Sequence, residues 1–71
     1  MLGHADVGYR VVIRYVAGER DGRPLFTDAL GDLVEASDTE LTVRTRRGVI
    51  RVPVDLVVAG KRVPPPPARR G

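Results

Sequence analysis

Alternation between apolar and polar residues recurs in several short segments of this chain. In residues 8–16 the two alternating sets are Tyr9, Val11, Ile13 and Tyr15 on one side and Arg10, Val12 and Arg14 on the other. Side chains that repeat every second residue share one face of a β-strand, so this segment predicts a first strand with one face in the core. Residues 41–46 alternate in the same way, and residues 49–52 predict a return strand with Ile50 and Val52 inward.

A further strand is predicted over residues 28–36, with a bend inside it. Leu30 and Val34 share one phase, whereas Leu33 falls out of that phase, and Gly31 interrupts the pattern. Glycine within a strand commonly marks a bulge or a sharp bend. We therefore predict a bend at Gly31 that lets one strand serve two sheets.

Turn-forming residues separate these strands. Residues 18–24 are charged and bracketed by glycines, which predicts a long excursion from the sheet, after which Leu25 and Phe26 fold back onto its end. Residues 37–40 predict a turn. Residues 47–48, Arg-Gly, predict a tight two-residue hairpin, because glycine tolerates the positive φ that such a turn needs.

The chain from Pro53 onward predicts how the β-structure ends. Proline cannot donate to a sheet, so the fourth strand is predicted to end at Pro53, and residues 53–56 have the length of one 3₁₀ turn. Residues 57–60 make a short fifth strand. The following prolines hold an extended conformation that can join no sheet: Pro64, Pro65, Pro66 and Pro67. The sequence thus predicts an all-β fold, a small five-stranded SH3-like barrel with a 3₁₀ turn before the last strand and an extended polyproline tail.

Three segments follow from this pattern. Residues 1–7 are predicted to be a flexible N-terminus, residues 8–61 the SH3-like barrel, and residues 62–71 a proline-rich basic linker or tail. The proline run could be a docking ligand for an aromatic groove. A spacer is the preferred interpretation, because the run directly follows the last strand and would hold a following domain at a set distance.

Composition and charge narrow the function classes. The 71 residues include no cysteine and one histidine, His4, so we expect no disulfide, no metal site and no cofactor. Of the formal net charge of +3, residues 1–60 supply none, since they hold eight arginines against nine carboxylates. A globular nucleic-acid binder usually carries its excess charge on the folded surface, which argues against that class. No apolar stretch could span a bilayer and no targeting signal is visible, so we expect no membrane contact and a cytoplasmic protein.

Several strings of residues together resemble a known domain. They are DALGDLV at 28–34, LTVRTRRG at 41–48, RVP at 51–53 and VVAGKRVPP at 57–65. They resemble the N-terminal SH3-like domain of actinobacterial GNAT-superfamily N-acetyltransferases over nearly its whole length. The resemblance implies that the proline run leads into a catalytic domain. The acetyl-CoA loop of that superfamily, Gln/Arg-x-x-Gly-x-Gly/Ala, has no match here, so the segment itself is expected to bind no acetyl-CoA and to be no enzyme.

Arginines crowd the second predicted hairpin. With residues 47–48 as the turn, Arg44 lies directly opposite Arg51 on the outer face, and Arg46 and Arg47 lie at the rim. Like charges opposed across a ladder are destabilising, which favours a compensating anion. That anion could be a phosphate, a nucleic-acid backbone or an acidic patch on an adjoining catalytic domain.

The alternative needs no ligand. A pairing of Val34 with Val43 would bring Glu35 alongside the arginines, which would then form a solvated face. We prefer this second interpretation, because runs of surface charge usually contribute nothing measurable.

The sequence contains few residues that could form another recognition site or a catalytic site. The aromatic residues are Tyr9, Tyr15 and Phe26, and the tyrosines share the core phase, so no aromatic groove, cage or base-stacking platform is expected. Ser37 and His4 form no catalytic constellation. The sequence predicts a non-catalytic accessory domain that packs against or orients a catalytic domain, or that self-associates. The alternative is a free-standing nucleic-acid-binding barrel that uses the arginine face and the basic tail.

Overall fold

The computed structural model describes residues 2–65, so the predicted linker residues Pro66 and Pro67 lie outside the described part of the chain. Five strands in that part form one antiparallel sheet in the order β4-β3-β2-β1-β5. The elements in chain order are a 3₁₀ turn at His4–Asp6, β1 at Arg10–Arg20, β2 at Arg23–Ala36, β3 at Glu40–Thr45, β4 at Gly48–Pro53, a 3₁₀ turn at Val54–Leu56 and β5 at Val57–Arg62. The predicted five-stranded all-β fold with a 3₁₀ turn before the last strand is confirmed. None of the helical turns within residues 2–65 has the length and apolarity needed to cross a bilayer.

The first hairpin differs from the prediction. Residues 18–24 do not leave the sheet, since Gly18 pairs with Leu25 and Arg20 pairs with Arg23 across a two-residue turn. Both turn residues have positive φ, 52° at Asp21 and 77° at Gly22, as a type I′ hairpin requires. The predicted excursion was wrong because charged residues are tolerated on a two-stranded ribbon that is open to water on both sides. The ribbon leaves Leu25 46% and Phe26 52% exposed, so neither folds back onto the end of the sheet.

The phase predicted for β2 was also wrong. Ala29 and Leu33 are buried, whereas Leu30 is 45% exposed. The extra residue in the strand is Val34, because the register against β3 shifts between Leu33 and Glu35. The bulge is therefore at Val34 and not at Gly31.

Gly31 has a different role from the predicted bend. It pairs with Val11 on β1 and with Thr45 on β3. A Cβ at this position would overlap the carbonyl oxygen of Arg44 and lie 2.8 Å from the carbonyl carbon of the same residue. Glycine is required here because β2 and β3 approach each other closely.

The core lies on the inner face of the curved sheet. Its buried cluster consists of Leu2, Val11, Ile13, Leu33, Leu41 and Val43, with Val7, Tyr15, Ala36, Val54 and Val57 packed against it. Leu2 belongs to the segment that the sequence predicted to be flexible, and the structure places it against Gly60 of β5. A side chain larger than hydrogen at Gly60 would contact Leu2 Cδ1 at 3.0 Å. The space that Leu2 occupies thus depends on Gly60, which is far away in the sequence.

A clamp of three side chains, Asp6, Arg62 and Tyr9, joins the N-terminal turn to the end of β5. Arg62 Nε donates to Asp6 Oδ1 at 2.6 Å, and Arg62 Nη2 donates to the carbonyl oxygen of Ala5 at 3.1 Å. The guanidinium carbon lies 3.7 Å from the centroid of the Tyr9 ring, within the range of a cation–π contact. Tyr9, which the alternation placed in the core phase as a core or barrel-end residue, is 50% exposed beneath this arginine.

The clamp gives a pH dependence whose sign follows from the pKa of Asp6. Hydrogen bonding by the backbone of Gly3, and then by the side chain of Arg62, holds the pKa of Asp6 below its ordinary value of 3.8. The carboxylate therefore adds stability to the folded state above pH 3.8, and this contribution is lost as the pH falls through the lower, folded-state pKa.

Replacing Asp6 with asparagine is expected to remove this pH-dependent contribution. The thermal unfolding midpoint, measured at pH 7 and at about pH 2.5, should fall less for Asp6→Asn than for the unmodified chain. Asp38→Asn, which alters an exposed carboxylate in the β2–β3 turn, serves as the control and should follow the unmodified chain. Equal falls for all three proteins would contradict the role assigned to Asp6.

Candidate functional site

The β3–β4 hairpin carries the arginines that the sequence singled out. Thr45 pairs with Gly48, so the two turn residues are Arg46 and Arg47 and not the predicted pair at 47–48. Thr45 Oγ1 donates to the carbonyl oxygen of Gly48 at 2.8 Å and accepts from the amide of Arg47 at 3.1 Å. Gly48 has φ 124°, which a non-glycine residue rarely adopts. The threonine side chain and this glycine together fix the turn one residue earlier than predicted.

The shifted turn changes which charges face each other. Arg44 lies opposite Val49, and Arg51 lies opposite Thr42, so the predicted opposition of Arg44 and Arg51 is wrong. Arg51 lies two residues further along β4 from the partner of Arg44. The argument that opposed like charges require a compensating anion therefore no longer holds.

Glu35 also takes a different place from the one predicted. Val43 pairs with Leu33 and not with Val34, because Val34 is the bulged residue. Glu35 pairs with Thr42, which pairs in turn with Arg51, so the carboxylate and this guanidinium share one face with one strand between them. Within residues 2–65 the ion pairs are Arg14 with Asp28 at 3.2 Å and Arg62 with Asp6. Glu35 is therefore not a direct partner of the hairpin arginines.

A second arginine joins Arg44 on the outer face of the sheet. Arg10 pairs with Asp32 on β2, and Asp32 pairs with Arg44 on β3, so the three charges form one row across the strands. Directly opposed residues project from the same side of a sheet. An open cleft of about 290 Å³ follows this row and is lined by Arg10, Leu30, Gly31, Asp32, Arg44, Thr45 and Arg46.

Arg10 was not predicted as a site residue. The alternation along β1 had already placed it on the outer face. Its position beside Asp32 and Arg44 depends, however, on the registers of β1 with β2 and of β2 with β3. The Asp21-Gly22 turn begins the register of β1 with β2, which then shifts between Val16 and Gly18, and the register of β2 with β3 shifts at the bulge at Val34.

A second cleft lies where the β1–β2 ribbon faces the β3–β4 turn. Its volume is about 380 Å³, and it is lined by Tyr15, Thr27, Asp28, Ala29, Leu30, Thr45, Arg46, Arg47 and Ile50. Arg46 borders both clefts. Arg51 lines neither of them, which separates it from the other three predicted site residues.

The described residues show no arrangement for metal or nucleophilic chemistry. Among residues 2–65 no three metal-ligating side chains come together. Ser37 Oγ accepts hydrogen bonds from the amides of Thr39 and Glu40, at 3.3 and 3.1 Å, and so stabilises the β2–β3 turn. The chemistry that the two clefts offer is the binding of anionic groups beside exposed apolar side chains.

Most of the chain matches a known protein family. Residues 5–61 match a family model described as the Rv0428c N-terminal Sm-like domain, a segment that begins within the N-terminal 3₁₀ turn and includes all but the last residue of the five-stranded sheet. Neither a curated protein nor a solved structure matches the chain. The predicted resemblance is confirmed as far as a small β domain, whereas its SH3-like character and its link to GNAT acetyltransferases stay predictions.

Proposed function

We propose that this chain, which belongs to the family of Rv0428c N-terminal Sm-like domains, is a non-catalytic accessory module that binds and orients a catalytic domain. The observation that carries this proposal is a complete β-fold whose outer surface leaves large apolar side chains uncovered. They are Leu25, Phe26, Leu30, Val49 and Val58, each at least 45% exposed. Exposed apolar residues beside polar ones are the composition of surfaces that bind other proteins.

We assign the catalytic domain to the GNAT superfamily of N-acetyltransferases. The support is the residue pattern at 28–34, 41–48 and 57–65, together with the family description, which names an N-terminal domain of a longer protein. The superfamily holds acetyl-CoA with a loop at a helix N-terminus, and residues 2–65 contain no α-helix. Cofactor binding would therefore belong to another part of the same polypeptide. A cytoplasmic location, favoured by the absence of cysteine, is part of this proposal.

The proposal predicts a clear division in acetyl-CoA binding. Isothermal titration of the 71-residue chain with acetyl-CoA should give no binding heat, because residues 2–65 contain no α-helix whose N-terminus could hold the pyrophosphate. The full-length gene product should bind acetyl-CoA, and its coding sequence should contain the Gln/Arg-x-x-Gly-x-Gly/Ala loop. Deletion of residues 2–65 from that product should preserve acetyl-CoA binding.

Two results would contradict this division. Binding of acetyl-CoA by the 71-residue chain would place the cofactor site in the β module. A full-length gene product without the loop and without affinity for acetyl-CoA would remove the acetyltransferase assignment.

A further inference from the structure

The outer face of β1, β2 and β3 combines positive charge with an apolar centre. One row across the strands holds Arg10, Asp32 and Arg44, and it ends at Val49 on β4. The next row, two residues further along β1, holds Lys61, Val12 and Leu30. Residues two apart on a strand project from the same side, so both rows lie on one surface.

This surface concentrates the charge of the described chain. Arg10, Arg44, Arg46 and Lys61 supply four positive charges against the single negative charge of Asp32, a net of +3. Residues 2–65 as a whole hold ten basic and nine acidic side chains, a net of +1. Two other sets of opposite charges lie on the outer face and add no net charge: the ion pair of Arg14 with Asp28, and Arg51 and Glu35, which have Thr42 between them. The remainder of the domain is therefore acidic, and the positive charge is directed to one side.

The apolar centre distinguishes a protein partner from a nucleic acid. Leu30, two residues from Asp32 along β2, is 45% exposed, and Val49, opposite Arg44 on β4, is 60% exposed. Exposed apolar residues surrounded by arginine are typical of protein interfaces. A phosphate backbone would gain nothing from Leu30 and Val49, and it would be repelled by Asp32 between the two arginines.

We infer that this basic outer face, formed by Arg10, Arg44, Arg46 and Lys61 around Val12 and Leu30, docks on an acidic surface of the catalytic domain. The inference rests on the proposed function and names the surface and the chemistry of its partner. Arg10 and Arg44 are separated by two strand spacings, about 10 Å. Carboxylates one above the other on a helix at positions i and i+7 have nearly the same spacing, about 10.5 Å. The partner surface therefore carries two acidic groups at this separation, with an apolar side chain that covers Leu30.

Thiol labelling tests the docking directly, because the 71-residue chain has no cysteine. Leu30→Cys places a thiol at the centre of the face, and Asp38→Cys places one in the exposed β2–β3 turn as the matched control. Each variant is made in the 71-residue chain and in the full-length gene product. Maleimide labelling of the peptide that contains the new cysteine is followed by mass spectrometry.

Docking predicts a difference between the two sites. Labelling of Leu30→Cys should be about tenfold slower in the full-length protein than in the 71-residue chain, as for a docked state that is about nine-tenths populated. Asp38→Cys should label at the same rate in both. Adding Arg44→Glu, or raising the salt concentration, should restore labelling of Leu30→Cys, because the attraction between exposed charges is screened.

Other outcomes overturn the inference in distinguishable ways. Equal labelling of Leu30→Cys in the two proteins, in a gene product that binds acetyl-CoA, removes the docking face and leaves the proposed function intact. A gene product that contains no acetyltransferase domain removes both. Binding of a fluorescent RNA or DNA oligonucleotide to the 71-residue chain at low salt, abolished by Arg44→Glu, assigns the face to nucleic acid instead.

Discussion

Replacement of Leu33 with alanine is expected to remove a large part of the stability of this domain. Leu33 is fully buried in the core cluster, where it pairs with Val43 on β3 and its backbone exchanges hydrogen bonds with Gly8 and Tyr9. Truncation of a buried leucine costs about 2–5 kcal/mol, from lost burial and from the cavity that remains. A domain of 71 residues has a total unfolding free energy of about 4–10 kcal/mol. Urea unfolding followed by far-ultraviolet circular dichroism should show a loss of about 3 kcal/mol.

Leu25→Ala is the control for this substitution. Leu25 lies on the same strand but is 46% exposed on the β1–β2 ribbon, so its truncation should change the unfolding free energy by about 0.5 kcal/mol or less. Similar losses for the two variants would show that the ribbon is packed against something in solution. A small loss for Leu33→Ala would contradict the core described above.

Replacement of Gly31 with alanine is expected to be nearly as damaging, although it adds only one methyl group. The new Cβ would overlap the backbone of Arg44 on β3, and a backbone carbonyl cannot move aside as a flexible side chain can. Overpacking of this kind costs about 1–3 kcal/mol, and a clash with backbone belongs at the upper end of that range. In a domain of this size the thermal midpoint should fall by about 15 °C.

Gly18→Ala provides the matched control. Gly18 also lies in a strand, but a Cβ there meets nothing within 4 Å, and its backbone does not have the positive φ that alanine avoids. Its thermal midpoint should lie within a few degrees of the unmodified chain, about 0.5 kcal/mol in stability. If Gly31→Ala were equally well tolerated, β2 and β3 could not approach as closely as the structure describes.

The Gly31→Ala substitution also affects the basic outer face. Gly31 lies between Leu30 and Asp32, so the close approach of β2 and β3 sets the spacing between Asp32 and Arg44. A Gly31→Ala variant that still folds should therefore label more readily at Leu30→Cys in the full-length protein. The close approach of β2 and β3 at Gly31 therefore determines both the packing of the core and the spacing of charges on the basic outer face.

The alternation of residues was enough to place most strands. A period of two identified β1, β3 and β4 and their inward side chains, and Pro53 marked the end of β4. These predictions depend on each residue and its near neighbours, because a side chain that repeats every second position must share one face. The Asp21-Gly22 pair was also a readable signal, since Asp-Gly favours type I′ hairpins, but the surrounding charges led to the prediction of a loop.

The register of β3 with β4 could not be read from the alternation of residues. The predicted and observed registers of β3 and β4 differ by two residues, so both keep the same side chains inward, and the apolar pattern fits each of them equally. The choice between them depends on the Thr45 side chain in the turn and on the φ of Gly48. In the observed register Arg44 lies opposite Val49 and not opposite Arg51, so the candidate site contains no opposed arginines that would need a compensating anion.

In β1, β3 and β4 the local pattern thus specified which face each residue occupies, whereas in β2 the bulge at Val34 changed the phase. Long-range packing specified the neighbours of each residue. Alternation put Arg10 and Arg44 on the outer face, but only the approach of β1, β2 and β3 set them on either side of Asp32. Leu2 shows the same limit in the core, since its burial depends on space at Gly60, more than fifty residues away. The physical reason is that the periodicity of a strand depends only on residues close together in the sequence. Register and contacts between distant segments depend instead on how well their surfaces fit, and those surfaces form only when the sheet folds.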